Sequence, residues 1–190
     1  MERHYIEDQT CEKQDYTAVA LPIAVYENCR FNLCNFSGTN LSGIHFIDCT
    51  FDNCNLSTAI LNKVVFRDVV FKDCKLVGLH FETCDNFLIA MSFENCQLQL
   101  SSFYGMKIKK TLFRNCMLHE VDFTDADLSG SVFDHSDLFK ASFYNTNLEG
   151  ADLRTASNYA IDPEANKIQK SRFAMAGLPG LLMKYKIKIE

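Results

Sequence analysis

The sequence predicts an all-β chain wound as a four-sided parallel β-helix, and three periodicities predict it. A large apolar residue recurs at every fifth position, a small or compact residue precedes most of these centres by two places, and like residues recur at every twentieth position. Neither the 3.6-residue period of a helix nor the two-residue period of a lone strand accounts for such a series. Internal repeats take precedence over local readings, because missing them misassigns the fold.

The centres run Tyr26, Phe31, Phe36, Leu41, Phe46, Phe51, Leu56, Leu61, Phe66, Phe71, Leu76 and Phe81. They then slip by two residues and resume at Leu88 and Phe93, continuing in steps of five to Leu153. Companions such as Cys34, Cys54, Ala59, Cys74, Ser101, Ala126 and Ala151 lie two places earlier, and both sets are expected to point inward. Six of the eight glycines (Gly38, Gly43, Gly78, Gly105, Gly130 and Gly150) fall two places after a centre, where a type II turn needs φ > 0. Each unit therefore reads as a short extended piece and a corner.

Four corners close a coil, so residues twenty apart stack. One column is Phe31, Phe51, Phe71, Phe93, Phe113, Phe133, Leu153 and Phe173; another is Cys34, Cys54, Cys74, Cys96, Cys116 and Ser136. Both hold their type across the slip.

The pattern resembles the pentapeptide repeat family, A(D/N)LXX in consensus, as in Ala126-Asp127-Leu128-Ser129-Gly130 and Ala151-Asp152-Leu153-Arg154-Thr155. The resemblance covers residues 24–156 and implies the family's right-handed quadrilateral β-helix. At a strand spacing of about 4.8 Å, the steps from Phe31 to Phe173 make a rod of roughly 34 Å.

Length and composition agree with one domain: residues 1–23 as an N-terminal cap, 24–156 as repeats with a slip near 84–88, and 157–190 as a C-terminal cap and dimerisation segment. No apolar run approaches the roughly 20 residues of a membrane span, and Met1 to Cys11 is polar and charged, so the expected compartment is the reducing cytoplasm. The nine cysteines then read as reduced core thiols rather than a disulfide framework, with Cys84, at the slip, the most reachable. Stacked thiols point the same way and no histidine joins their column, which argues against a soft-metal ladder. His45, His80, His119 and His135 fall on four different faces, so no catalytic grouping forms. The expectation is a non-enzymatic protein without cofactor or metal, whose function is exercised by its outer surface.

A column one place after the first-face centres alternates in sign: Asp52, Lys72, Glu94, Arg114, Asp134, Arg154. It reads as a self-satisfied surface ladder. Val70, Leu112 and Val132 share an outward column with Ser92, an apolar stripe that is a candidate for holding a partner. Residues 116–165 carry ten acids against Lys140 and Arg154, a net of −8, whereas residues 166–190 carry a net of +5. Asp122, Asp125, Asp127, Asp134, Asp137 and Asp152 are therefore the candidate partner-binding acidic surface. At the slip, Leu88 is expected to take the centre and leave Phe87 outside; Asp85 and Phe87 form either an inert bulge or a small contact feature.

At the C-terminal end, Asn158 to Pro163 reads as a turn, Pro179 opens a short helix through Leu181, Leu182 and Tyr185, and Lys184 to Ile189 alternates like a final strand. Leu178, Leu181, Leu182, Tyr185, Ile187 and Ile189 exceed what one cap requires and are the candidate interface of a two-fold homodimer; a monomer with a folded-back cap is the alternative. Within the family, this tail is similar to those of the Qnr-type fluoroquinolone-resistance proteins and the microcin-immunity pentapeptide proteins. That likeness implies dimerisation through the C-terminus, binding to a type II topoisomerase (DNA gyrase or topoisomerase IV) and mimicry of DNA, while the formal charge of −5 and the short apolar runs lead to an expectation of no direct binding of nucleic acid or membrane. The Qnr group carries longer projecting loops, and only a two-residue slip stands here. A generic protein-binding scaffold with an unrelated partner is the competing reading.

Overall fold

The computed structural model describes residues 4–188. Its thirteen short strands, numbered in chain order, are all paired in parallel. β1 (Tyr5–Glu7), β3 (Val25–Glu27), β5 (His45–Ile47) and β7 (Val65–Arg67) form a four-stranded sheet. A nine-stranded sheet takes β2 (Thr10–Glu12), β4 (Arg30–Asn32), β6 (Thr50–Asp52), β8 (Val69–Lys72), β9 (Met91–Glu94), β10 (Leu112–Arg114), β11 (Val132–Asp134), β12 (Asp152–Leu153) and β13 (Arg172–Phe173). The other faces are held by single parallel bridges such as Asn35↔Asn55 and Ser102↔Asp122. The register advances by 20, as in Phe31↔Phe51, and by 22 across the slip, as in Phe71↔Phe93.

The centres face inward and are dry: Phe31, Phe51, Phe71, Phe93, Phe113 and Phe133 are wholly buried. Successive rings in this column stack at 4.8 to 5.4 Å, while rings on adjacent faces meet edge-on, as Phe31 and Phe36 do at 74°. Offset stacks and edge contacts suit the aromatic quadrupole, so the square cross-section itself supplies both favoured geometries. Corners carry φ > 0 at the expected place, in Gly38 (φ 64) but also in Asn28, Asn53, Asp73 and Asn95. Many close with a turn bond, such as Thr39 N donating to the Phe36 carbonyl at 3.1 Å.

The small inward position has a second requirement that spacing does not reveal. Seven of the thiols donate to the carbonyl of the centre one coil below, as Cys54 does to Phe31 at 3.3 Å and Cys74 to Phe51 at 3.4 Å. Where the column changes to Ser136, its hydroxyl makes the same bond to Phe113 at 3.1 Å. Cys, Ser and Thr are thus equivalent here as small side chains with a donor, and burial of the sulfur is accompanied by a satisfied carbonyl. Burial pushes the Cys34 thiol up to about 11 and Cys49 up to about 12. No disulfide joins any of the nine.

Residues 4–23 form the first coil of the rod: Ile6 pairs with Tyr26, Cys11 with Phe31, and the Tyr16 ring stacks on Phe36 at 4.6 Å. The exposed edge of that coil is closed by side chains, since Gln9 donates to the Glu7 carbonyl (3.2 Å) and Gln14 to the Glu12 carbonyl (2.8 Å). One coil up, the equivalent carbonyls of Glu27 and Asn32 are taken by the backbone N–H of Asp8 and Lys13. The two glutamines therefore occupy carbonyls that elsewhere in the rod are taken by a neighbouring coil's N–H groups, which blunts this strand edge against pairing.

Three expectations are corrected, at the slip and in the tail. Leu88 does not take the centre at the slip: it is exposed with φ 55, and Ile89 packs against the core instead. Cys84, which keeps the twenty-residue register through the Asp85 N–Val64 O bond, is buried, and Cys11 is the partly exposed cysteine. Finally, Lys184 to Lys188 forms no strand: Met183–Tyr185 is a 3-10 turn ended by Lys186 in the left-handed region, and Ile189 lies outside the described residues. The helix α1 (Pro179–Leu182) does open on Pro179.

Candidate functional site

The six candidate acids do not form one bare strip. Most sit one place before a centre, where the side chain leaves the corner and its carboxylate accepts the backbone N–H two residues on, as Asp122 does from Thr124 and Asp127 from Ser129. An asparagine one coil above then donates to several of them: Asn145 to Asp125 at 2.6 Å, Asn147 to Asp127 at 3.0 Å, Asn158 to Asp137 at 2.8 Å. The same device recurs far from the acidic half, as in Asn28 on Asp8 and Asn95 on Asp73. These carboxylates are therefore part of the stacking as well as of the surface.

Four of the six also carry a basic partner. Asp127 meets Lys109 at 3.2 Å, Asp134 meets Arg114 at 3.3 Å and His135 at 2.7 Å, Asp137 meets His119 at 2.9 Å, and Asp152 is held by Arg154 (2.9 Å) and Arg172 (2.8 Å). The alternating ladder is correspondingly incomplete: Arg154 turns to Asp152 in its own coil rather than to Asp134. Bonds from Arg154 hold the Asp152 carboxyl below the usual carboxylate range, and His135 does the same for Asp134. For Asp137, partial burial works upward but is outweighed by Asn158 and His119. Asp122 and Asp125 are left without an ion pair among the described residues.

The slip projects as a short loop on the four-stranded face. Asp85 caps it by accepting the Phe87 N–H at 2.8 Å, and Phe87 and Leu88 stand 69% and 60% exposed. Beneath it runs a groove of 310 Å³ lined by Val25, His45, Val65, Arg67 and Phe87 among others. The bulge is thus an exposed apolar feature, with Leu88 joining Phe87.

At the C-terminal end, Tyr159 and Ile161 are buried, and the Ile161 N–H donates to the Gly180 carbonyl at 3.0 Å. Lys184 bridges Asp162 (2.7 Å) and Glu164 (2.6 Å), pinning the tail to the last corner. Of the candidate dimer residues, Leu178, Leu182, Tyr185 and Ile187 are exposed, whereas Leu181 packs against the core. A groove of 530 Å³ lies beside this end, between Phe139, Arg154, Tyr159 and Met183.

Among the described residues no group of three or more His, Cys, Asp or Glu is placed to hold a metal ion, and no helix is long and apolar enough to cross a membrane.

Solved structures of similar shape include two trypsin-treated variants of QnrB1, a plasmid-mediated fluoroquinolone resistance protein. One is 19% identical with a TM-score of 0.51 over 98% of this chain and 100% of that chain. The other is 18% identical with a TM-score of 0.51 over the whole of both. HetL, a pentapeptide repeat protein involved in heterocyst differentiation regulation from the cyanobacterium Nostoc sp. strain PCC 7120, is 15% identical, with 90% of this chain and 87% of that chain covered and a TM-score of 0.42. No curated protein matches the chain by sequence. The model of the pentapeptide repeat region matches residues 24–85 and 44–123, and that of pentapeptide repeats (8 copies) matches 116–154. With its square coil, five-residue period and these matches, the chain belongs to the pentapeptide repeat family.

Proposed function

We propose that the protein is a non-enzymatic, cytoplasmic ligand of DNA gyrase or topoisomerase IV, a DNA-shaped rod that acts as a homodimer joined through its C-terminal ends. The observation that carries the reading is the correspondence, along the whole of both chains, with the rod of a fluoroquinolone resistance protein. Eight steps of about 4.8 Å from Cys11 to Phe173 give roughly 38 Å per protomer. Two rods end to end span about as much as 20 base pairs at 3.4 Å each. The exposed Leu178, Leu182, Tyr185 and Ile187 supply the apolar end for the two-fold contact.

The ion pairs bear on which acids would carry the electrostatic part of such a contact. Asp127, Asp134 and Asp152 already face a lysine or arginine, and Asp137 is tied up by His119 and Asn158, so on this reading attraction to a basic DNA-binding surface falls chiefly to Asp122 and Asp125. The same pairing, with the exposed Phe87–Leu88 loop, favours the second reading, a scaffold for an unrelated protein.

A gyrase supercoiling assay separates them. Wild type is expected to modulate the enzyme at micromolar concentration, less so as salt rises, and reversal of Asp122 and Asp125 to Lys should weaken the effect. Equal potency of wild type and variant removes the mimicry, and inactivity of both leaves the scaffold.

A further inference from the structure

We propose that the nine-stranded face is a self-recognition surface, on which two copies pack face to face with their rods antiparallel. The two-fold axis lies along the strand direction, between the Phe93 and Phe113 levels. This contact involves neither the C-terminal end nor a topoisomerase.

The argument begins with register. Asp52, Lys72, Glu94, Arg114 and Asp134 are successive neighbours in the sheet, and Arg154 follows one coil on. A two-fold axis along the strands reverses this order while keeping the column opposite itself. Asp52 then faces Arg154 of the second copy, Lys72 faces Asp134, and Glu94 faces Arg114, each pair occurring twice. An axis along the rod would instead set the charged column against the apolar one, so charge selects the antiparallel arrangement. The adjoining column behaves in kind: Val70 is brought opposite Val132, and Ser92 opposite Leu112. Only at the margin do like charges meet, Arg30 opposite Arg172, and Arg172 is already bonded to Asp152 at 2.8 Å.

The ladder is also only partly used within the chain. Arg114–Asp134 is the ion pair along it, Arg154 is held by Asp152 and Asp134 also by His135, and among the described residues Asp52, Lys72 and Glu94 have no ion pair, so each cross-copy pair has one uncommitted member. Val70 is 38% exposed. The contact extends over five steps, about 24 Å, and is a few side chains wide. That is less than the roughly 800 Å² per partner of a standard interface, which places the association in the transient, salt-sensitive class.

Sedimentation equilibrium at low and high salt tests this with the full chain. An association is expected that salt weakens, that Lys72→Glu or Asp134→Lys weakens by about tenfold or more, and that the double variant Lys72→Glu/Asp134→Lys restores. The series is repeated with Leu182→Glu, which charges the apolar end; the association should persist there. If Lys72→Glu changes nothing, if the double variant fails to restore, or if Leu182→Glu alone abolishes association, the proposal is overturned.

Discussion

The ring of Tyr159 fills the space that a side chain on Gly177 would need, and at Gly180 an added Cβ would meet the Tyr159 backbone carbonyl first and its Cδ2 at 2.8 Å. The C-terminal segment is thus clamped on a single aromatic residue, which also contacts Phe173 at 5.7 Å between ring centres. Gly177→Ala or Gly180→Ala should undock the segment and cost about 1 to 3 kcal/mol, the usual penalty for overpacking. Thermal unfolding with hydrogen exchange at Leu181 checks it; unchanged stability in both variants would mean that the clamp is loose.

Phe71 and Phe113 are wholly buried mid-column, each stacked on Phe93. Truncation to Ala should cost about 3 to 5 kcal/mol through lost burial and an unfilled cavity. Lys72→Ala, one residue along but outward, should shift stability by less than about 1 kcal/mol. Denaturant unfolding of the three variants measures the contrast.

Thiol labelling should begin at Cys11, the one partly exposed cysteine, while Cys34, Cys54, Cys74, Cys84, Cys96 and Cys116 react only on unfolding. Burial, by raising the thiol of Cys84, reinforces its inertness. Mass spectrometry of the native protein after brief alkylation reads the order directly; early modification of Cys84 would place it at the surface.

Lys184 holds the carboxyls of Asp162 and Glu164 below their ordinary values. Because both are depressed in the folded state, their contribution is present above about pH 4 and is lost as pH falls through the lowered values. The tail should therefore loosen in acid before the coils do. Tyr185, which donates to Glu164 at 3.1 Å, supplies the probe: its ring resonances should report the protonation of Glu164 in that window, and Lys184→Ala should lessen the depression.

The five- and twenty-residue periods by themselves determined the coil, its inward columns and the αL corners, because one rule of steric fit is repeated at each level. They also placed Pro179 at a helix start. What they left to tertiary structure lies where the repetition breaks or where a partner is not a sequence neighbour. Ile89 rather than Leu88 enters the core because two extra residues must be expelled while Cys84 and Met91 stay in register. Asp127 is paired with Lys109 and Asp137 with His119, each eighteen positions earlier, which only stacking brings within reach. Gln9 and Gln14 read as ordinary surface residues until the coil edge they close is visible, and Tyr159 reads as part of a turn until Gly177 and Gly180 fold back onto it. Period records the geometry that each coil shares, whereas ends, slips and ion pairs depend on which side chains the finished rod sets side by side.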